Sequence, residues 1–297
     1  MKRSKARVGL GAAAASLAVV AVAGCSGSGS GGGTATGTGG TKSGSSAALS
    51  LVADAMNKAN SAGTVKITGT ITSPSSTTPI TMTAEEQYSP QLAMSMTMQL
   101  NGQSLNEIMI GSKIYMSYPA LASMMGGKKW GEIDLSQASG SLGSLSSLVD
   151  SAQSENPTTQ ISALVASGDV TKVGTDTVDG QQATHYSGTL TPAELANVAN
   201  GGQLSASQIS TLKSEMQSAG VSSEKVDLWV ASSGLPVELK FAAKSSAGTS
   251  AGDMKLSDWG APVSVGAPPA SEVYDMTSAL NGAEASASAA ALANSSG

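Results

Sequence analysis

One cysteine, one histidine and one phenylalanine occur in 297 residues, and aromatic side chains make up only 3% of the chain. A lone cysteine, Cys25, excludes an intrachain disulfide framework. A lone imidazole, His185, would have to carry any Ser-His-Asp site by itself, and no Gly-x-Ser-x-Gly turn accompanies it. His185 is therefore read as an ordinary strand residue. One imidazole and one thiol also serve metal binding poorly. Gly126-Gly127-Lys128 lacks both the upstream glycine spacing and the following Ser or Thr of a phosphate loop. Glu85 and Glu86 are adjacent on an expected strand, so they point to opposite faces and cannot act as an acid–base pair. The chain is expected to be no enzyme and to carry no cofactor and no metal. Charge is sparse as well, 12% of residues with a formal net of −5, which argues against nucleic acid as a partner.

No apolar run is long enough to favour a membrane span. Lys2, Arg3, Lys5 and Arg7 precede a short alanine-rich apolar stretch over 8–23, the pattern of an export signal occupying residues 1–24. It ends in Val22-Ala23-Gly24-Cys25, which matches the bacterial lipobox. That pattern implies diacylglycerol on the Cys25 thiol, cleavage before it and a palmitate-type acyl anchor. Two or three chains hold a protein stably where one is marginal. Loss of four positive charges with the signal would leave a net of about −9. Residues 25–45 are the modified cysteine and a Gly/Ser/Thr linker, a flexible coil spanning roughly 25 Å. Residues 277–297 are Ala/Ser-rich and expected to be disordered. Between them, 46–276 reads as one β-rich domain, held at the extracytoplasmic face of the cell membrane.

What the chain has in abundance is methionine, thirteen against one phenylalanine. In the segment 91–100, Leu92, Met94, Met96, Met98 and Leu100 alternate with Ser95, Thr97 and Gln99, the signature of a strand with one dry face. Asn101-Gly102 then signals a two-residue type I′ turn. Such a turn pairs Leu100 with Gln103, Met98 with Leu105, Met96 with Glu107 and Met94 with Met109. A second turn at Gly111-Ser112 pairs Met109 with Ile114 and Glu107 with Met116. One carboxylate, Glu107, thus falls among the methionines, and an unpaired buried carboxylate is expensive. It either sits near an open edge in water, the reading the sequence favours, or a bulge shifts the register, or it meets something polar inside.

Upstream, 46–62 reads as an amphipathic helix with Ala48, Leu51, Val52, Ala55, Met56 and Ala59 on its apolar face. Val65, Ile67, Gly69 and Ile71 alternate next, then a polar turn over 74–79, then Ile80 and Met82. Five such strands in succession make a meander. Further strands are expected over 128–135, 170–178, 181–190, 225–231, 236–243 and 253–259. Helices are expected over 119–125, 137–149, 157–168, from Thr191 onward and over 204–219, with an extended run through Pro262, Pro268 and Pro269. Helices grouped between sheet segments suit an antiparallel α+β design.

Methionine suits surfaces that accept varied apolar shapes, yet composition alone favours the stripe simply packing on the helices at 46–62 and 142–149. The order of short motifs adds a further reading. A lipobox and polar linker lead to Ser61-Ala62-Gly63, the strand Val65-Lys66-Ile67-Thr68-Gly69-Thr70, Lys128-Lys129-Trp130 and Ile133-Asp134-Leu135. Val178-Asp179-Gly180 with Thr184-His185-Tyr186, Leu228-Trp229-Val230 with Gly234-Leu235-Pro236, and Leu256-Ser257-Asp258-Trp259-Gly260 follow. Over residues 46–276 this series resembles the LppX/LprG-type actinobacterial envelope lipoproteins of LolA-like fold. The resemblance implies an α+β domain with a strongly bent antiparallel sheet, an incomplete β-barrel, with helices across its open side. It also implies an apolar cavity for acyl chains of a lipid or acylated ligand.

The expected lining of that cavity is Val65 and Ile67, Ile80 and Met82, Leu92, Met94, Met96 and Met98, Leu105 and Met109, and Ile114 and Met116. The chain is then a monomeric, membrane-anchored lipoprotein that binds or carries lipid. The alternative is a non-enzymatic interaction or sensory lipoprotein with a closed cavity and an envelope protein partner.

Overall fold

The computed structural model describes residues 45–137 except 90 and 124, residues 170–193 and 206–278, and residue 281. Cys25, its linker and the helices expected over 137–149 and 157–168, apart from Gln137, lie outside the described residues. The first half comprises helix α1 (Ser45–Ala62) and strands β1 (Thr64–Ser73), β2 (Ser76–Gln87), β3 (Ala93–Leu100), β4 (Gln103–Ile110), β5 (Lys113–Ser117) and β6 (Trp130–Asp134). Then come β7 (Thr171–Val178), β8 (Gln181–Leu190), helix α2 (Ala206–Ser218), β9 (Val221–Ala231), β10 (Pro236–Ser245), β11 (Gly248–Ser257) and β12 (Val273–Asp275).

The twelve strands form one sheet in the order β12-β6-β5-β4-β3-β2-β1-β11-β10-β9-β8-β7. The meander β1–β6 is as the alternation predicts, and pairing of β1 with β11 joins it to the run β7–β11. The turn at Asn101-Gly102 has both residues at positive φ, 51° and 78°, where a Cβ is strained and Asn and Gly are tolerated. Its register agrees with the expected one pair by pair, as does that of β4 with β5.

Four expectations need correction. The sheet is not wholly antiparallel, because β12 pairs with β6 in parallel. β12 arrives after a long proline-bearing connection rather than a hairpin, so no tight turn forces the antiparallel sense. The polar turn expected over 74–79 is confined to Pro74-Ser75, and Ser76 already pairs with Ser73. β9 begins at Val221, just after Gly220, rather than at Lys225, which brings Glu224 into the strand. Leu51 is 51% exposed. At 100° per residue Ala48, Val52, Ala55 and Ala59 share a narrow stripe, and Leu51 falls on its shoulder.

The sheet is open, an incomplete barrel whose edges are β7 and β12. β3 and β8 stand six places apart in it, about 29 Å if it were flat. Nonetheless Met96 and Met98 of β3 share one buried cluster with Tyr186 and Leu190 of β8 and Ala48, Val52, Ala55 and Met56 of α1. α1 touches both β7 and β10. The sheet curves around this alanine-faced helix, whose small side chains allow close approach.

The outer face is ionic. Lys66 pairs with Glu85 at 3.2 Å, while buried Glu238 is held by Lys255 at 3.0 Å and Lys240 at 3.1 Å. At the far end Thr277 is buried, and its hydroxyl accepts the Asp134 N–H at 2.7 Å, so close contacts continue past residue 276. Among the described residues no helix is long and apolar enough to cross a membrane.

Candidate functional site on the inner face

Partners across an antiparallel pair share a face, so the register traces continuous lines over the inner surface. One line runs Val65, Glu86, Met94, Met109, Ile114, Ile133. The next runs Ile67, Ala84, Met96, Glu107, Met116, Gly131, and a third runs Gly69, Met82, Met98, Leu105. Ile80 lies opposite Ile71. Leu92 precedes β3 in the same alternation, and its carbonyl accepts the Gly111 N–H at 3.1 Å.

The curvature divides these residues into two groups. Val65, Ile67, Met82, Met96 and Met98 are buried in the cluster that holds α1, with Ile80, Met94 and Leu105 partly buried against it. Met109 is buried outside that cluster, and Leu92, Ile114 and Met116 are partly buried outside it. The inner face is thus filled by the protein's own helix on the β1–β3 side and β8–β10. On the β4–β6 side methionines continue without α1.

Two further methionines belong to that side and carry no periodic signal in the sequence. A Cβ on Gly131 would stand 3.0 Å from Met125 Sδ and closer still to Met276 Sδ, so both thioethers press on the β6 backbone beside Met116. Met125 sits in a turn and Met276 beyond the last strand, where no alternation reveals them.

Carboxyls are the inner face's unexpected content. The β3–β4 and β4–β5 registers run without a shift, so no bulge turns Glu107 away. β4 is an interior strand, so the open-edge reading fails too. Burial pushes the partly buried Glu107 carboxyl above its usual value. On the neighbouring line, burial pushes Glu86 up to about 7, against the lowering effect of the Tyr88 hydroxyl that donates to it at 3.0 Å. Glu224 of β9 lies opposite Leu190 and Ala243, in line with Val226, Leu228 and Val230. It is 9% exposed, its Oε1 has no hydrogen-bond partner among the described residues, and burial pushes it up to about 7. Glu86 escaped the sequence reading because residues 88–92 form no two-residue turn from which to count. Glu224 escaped because the strand was expected to start at Lys225, four residues after its first residue, Val221.

Basic groups face the other way. Lys66, Lys113, Lys225, Lys240 and Lys255 register with outer-face residues, and among described strand residues only exposed Lys172, opposite Tyr186 on edge strand β7, registers with the inner face. His185 is on the outer face, stacked on Trp229 at 4.2 Å, with Nε2 2.9 Å from Asp227 Oδ1. Trp229 Nε1 donates to Asp176 at 2.7 Å. These contacts give the ring a structural role in the ionic lattice. Among the described residues no group of three or more His, Cys, Asp or Glu could hold a metal ion.

No family model matches the chain. In sequence it is 35% identical over 164 residues to an uncharacterized 31.2 kDa protein of Streptomyces griseus from the rplA-rplJ intergenic region. The match covers 54% of this chain and 52% of that protein, so the chain spans about half the length of the relative it matches. Among solved structures, lipoprotein LppX of Mycobacterium tuberculosis is 17% identical, with 74% of this chain and 99% of that one covered at a TM-score of 0.46. LprF of Mycobacterium bovis is 15% identical, with 75% and 97% covered at a TM-score of 0.46. Over about three quarters of its length this chain is thus similar to two mycobacterial proteins.

Proposed function

We propose that this chain is an envelope lipoprotein, anchored through acylated Cys25, that binds or carries the acyl chains of a lipid on the inner face of its open sheet. The observation that carries this reading is the stretch of β3–β6 inner face where Leu92, Met94, Ile114 and Met116 are only partly buried, beyond the cluster α1 fills or at its margin. Burial of a hydrocarbon tail is worth about 0.8 kcal/mol per CH₂, so even a half-enclosed chain is held. Flexible thioethers conform to an irregular tail more readily than fixed branched side chains do. The residues 46–276 form the binding domain, residues 1–24 the signal, and 25–45 the tether that lets the domain range near the bilayer.

A second reading has its own support. Met82, Met96 and Met98 are packed with α1, which suits an interaction or sensory lipoprotein whose core is closed. Native mass spectrometry of the full chain carrying Cys25→Ser separates the two. The lipid reading expects co-purifying lipid, and Met116→Trp is expected to lower its occupancy about tenfold, because an indole occupies the space of several methylenes. A bare wild-type protein that captures an envelope protein instead supports the second reading.

A further inference from the structure

The inner face carries three carboxyls, Glu86, Glu107 and Glu224, and apart from exposed Lys172 at the edge no basic group on a described strand faces them. Glu86 has the Tyr88 hydroxyl as a partner. Among the described residues Glu224 has none at Oε1, although it is 9% exposed and lies beside Leu190, Ala243 and Val226. Folded proteins leave few buried acceptors unpaired, and each such atom calls for a partner that the described residues do not supply. A well-packed apolar core would use a leucine here, since an unsatisfied buried acid is costly. α2 packs on β9, and its Met216 joins the core cluster to which Val226 belongs, so the acid lies between sheet and helix rather than at an edge.

We infer that the inner face takes an amphiphile whose polar group donates hydrogen bonds and bears no negative charge, a hydroxyl- or amine-bearing chain, with Glu224 as its principal acceptor and Glu107 as a second one among the methionines. A carboxylate ligand of equal length is disfavoured, because it brings like charge to acids that no lysine on a described strand except exposed Lys172 faces, and donates no hydrogen bond when ionised. That burial lifts Glu224 to about 7 accords with this. An ammonium head would meet the ionised acid as an ion pair, and a hydroxyl can donate to either form. This inference rests on the lipid-binding reading and specifies the head group that such a ligand presents.

The test uses the full chain carrying Cys25→Ser, so that its own acyl groups do not compete, titrated with dodecylamine, dodecanol and dodecanoate at pH 8 by displacement of an environment-sensitive fluorophore. The amine and the alcohol are expected to bind at least about tenfold more tightly than the acid, the worth of one hydrogen bond to a charged group. Glu224→Gln, which keeps the shape and removes the charge, should narrow the amine-to-acid ratio about tenfold. Glu107→Gln should narrow it in the same direction by less. Equal binding of the three probes, preference for the acid, or a ratio unmoved by both variants overturns this inference and leaves the lipid reading standing. Failure of all three probes to bind overturns both.

Discussion

Thermal unfolding is expected to occur about 10 °C higher at pH 5.5 than at pH 8. The cause lies in Glu86 and Glu224, whose carboxyls burial lifts from an ordinary 4.5 to about 7. A group that binds its proton more tightly when folded stabilises the fold fully below its unfolded value. That contribution is lost as pH rises between the unfolded and the folded value. The window is therefore roughly pH 4.5 to 7, and each group contributes about 3 kcal/mol across it. For a domain of this size each kcal/mol moves the midpoint by about 2–4 °C. Asp134 and Asp227 act in the opposite sense. Burial pushes each up, but hydrogen bonds from Ser136 and Gln137 to Asp134, and from Lys225 to Asp227, leave both below the usual 3.8. Their stabilisation is present above that value and is lost only under stronger acid, outside the window. Calorimetry from pH 5.5 to 8 checks the slope, and Glu224→Gln should remove about half of it. A midpoint that is flat or rises toward pH 8 contradicts the account.

Replacing Val52 with Asp should destabilise the domain by at least about 4 kcal/mol, whereas Leu51→Asp should change stability by less than about 0.5 kcal/mol. Val52 is fully buried on the α1 stripe among the core residues, and a carboxylate there would meet no donor or cation. Leu51, its neighbour in sequence, is half exposed, and a charge there stays in water. Urea midpoints of the two variants measure the difference. Similar losses would mean that α1 is rotated relative to the sheet, and with it the assignment of which inner-face residues are already occupied.

Turn chemistry alone made a quarter of the twelve-stranded sheet legible in the sequence. Asn101-Gly102 and Gly111-Ser112 fix the register of β3, β4 and β5 because a two-residue turn leaves no slack, and with the register comes the placing of Glu107 opposite Met96 and Met116. Where connections are longer the arithmetic stops. Residues 88–92 hid the position of Glu86, and the stretch 258–272 hid the parallel pairing of β12 and the arrival of Met276 over Gly131. Leu51 was misplaced for a different reason, since hydrophobicity marks a stripe's centre better than its shoulders. Composition favoured the stripe packing on α1, as Met82, Met96 and Met98 do, but did not say how far α1 fills the concavity. Periodicity says which faces are dry, but how far a sheet bends around a helix is set by tertiary packing over many strands.

The claim on which the functional account turns is that acyl chains lie along the β3–β6 inner face. Photo-crosslinking tests it most directly, using the full chain carrying Cys25→Ser and a long-chain alcohol bearing a diazirine in mid-chain, with adducts located by peptide mass spectrometry. The account predicts adducts in the segments holding Leu92 and Met94, and Ile114 and Met116, competed away by unlabelled alcohol. Adducts confined to outer-face segments such as that of Trp229, or adducts that unlabelled alcohol does not reduce, would contradict it.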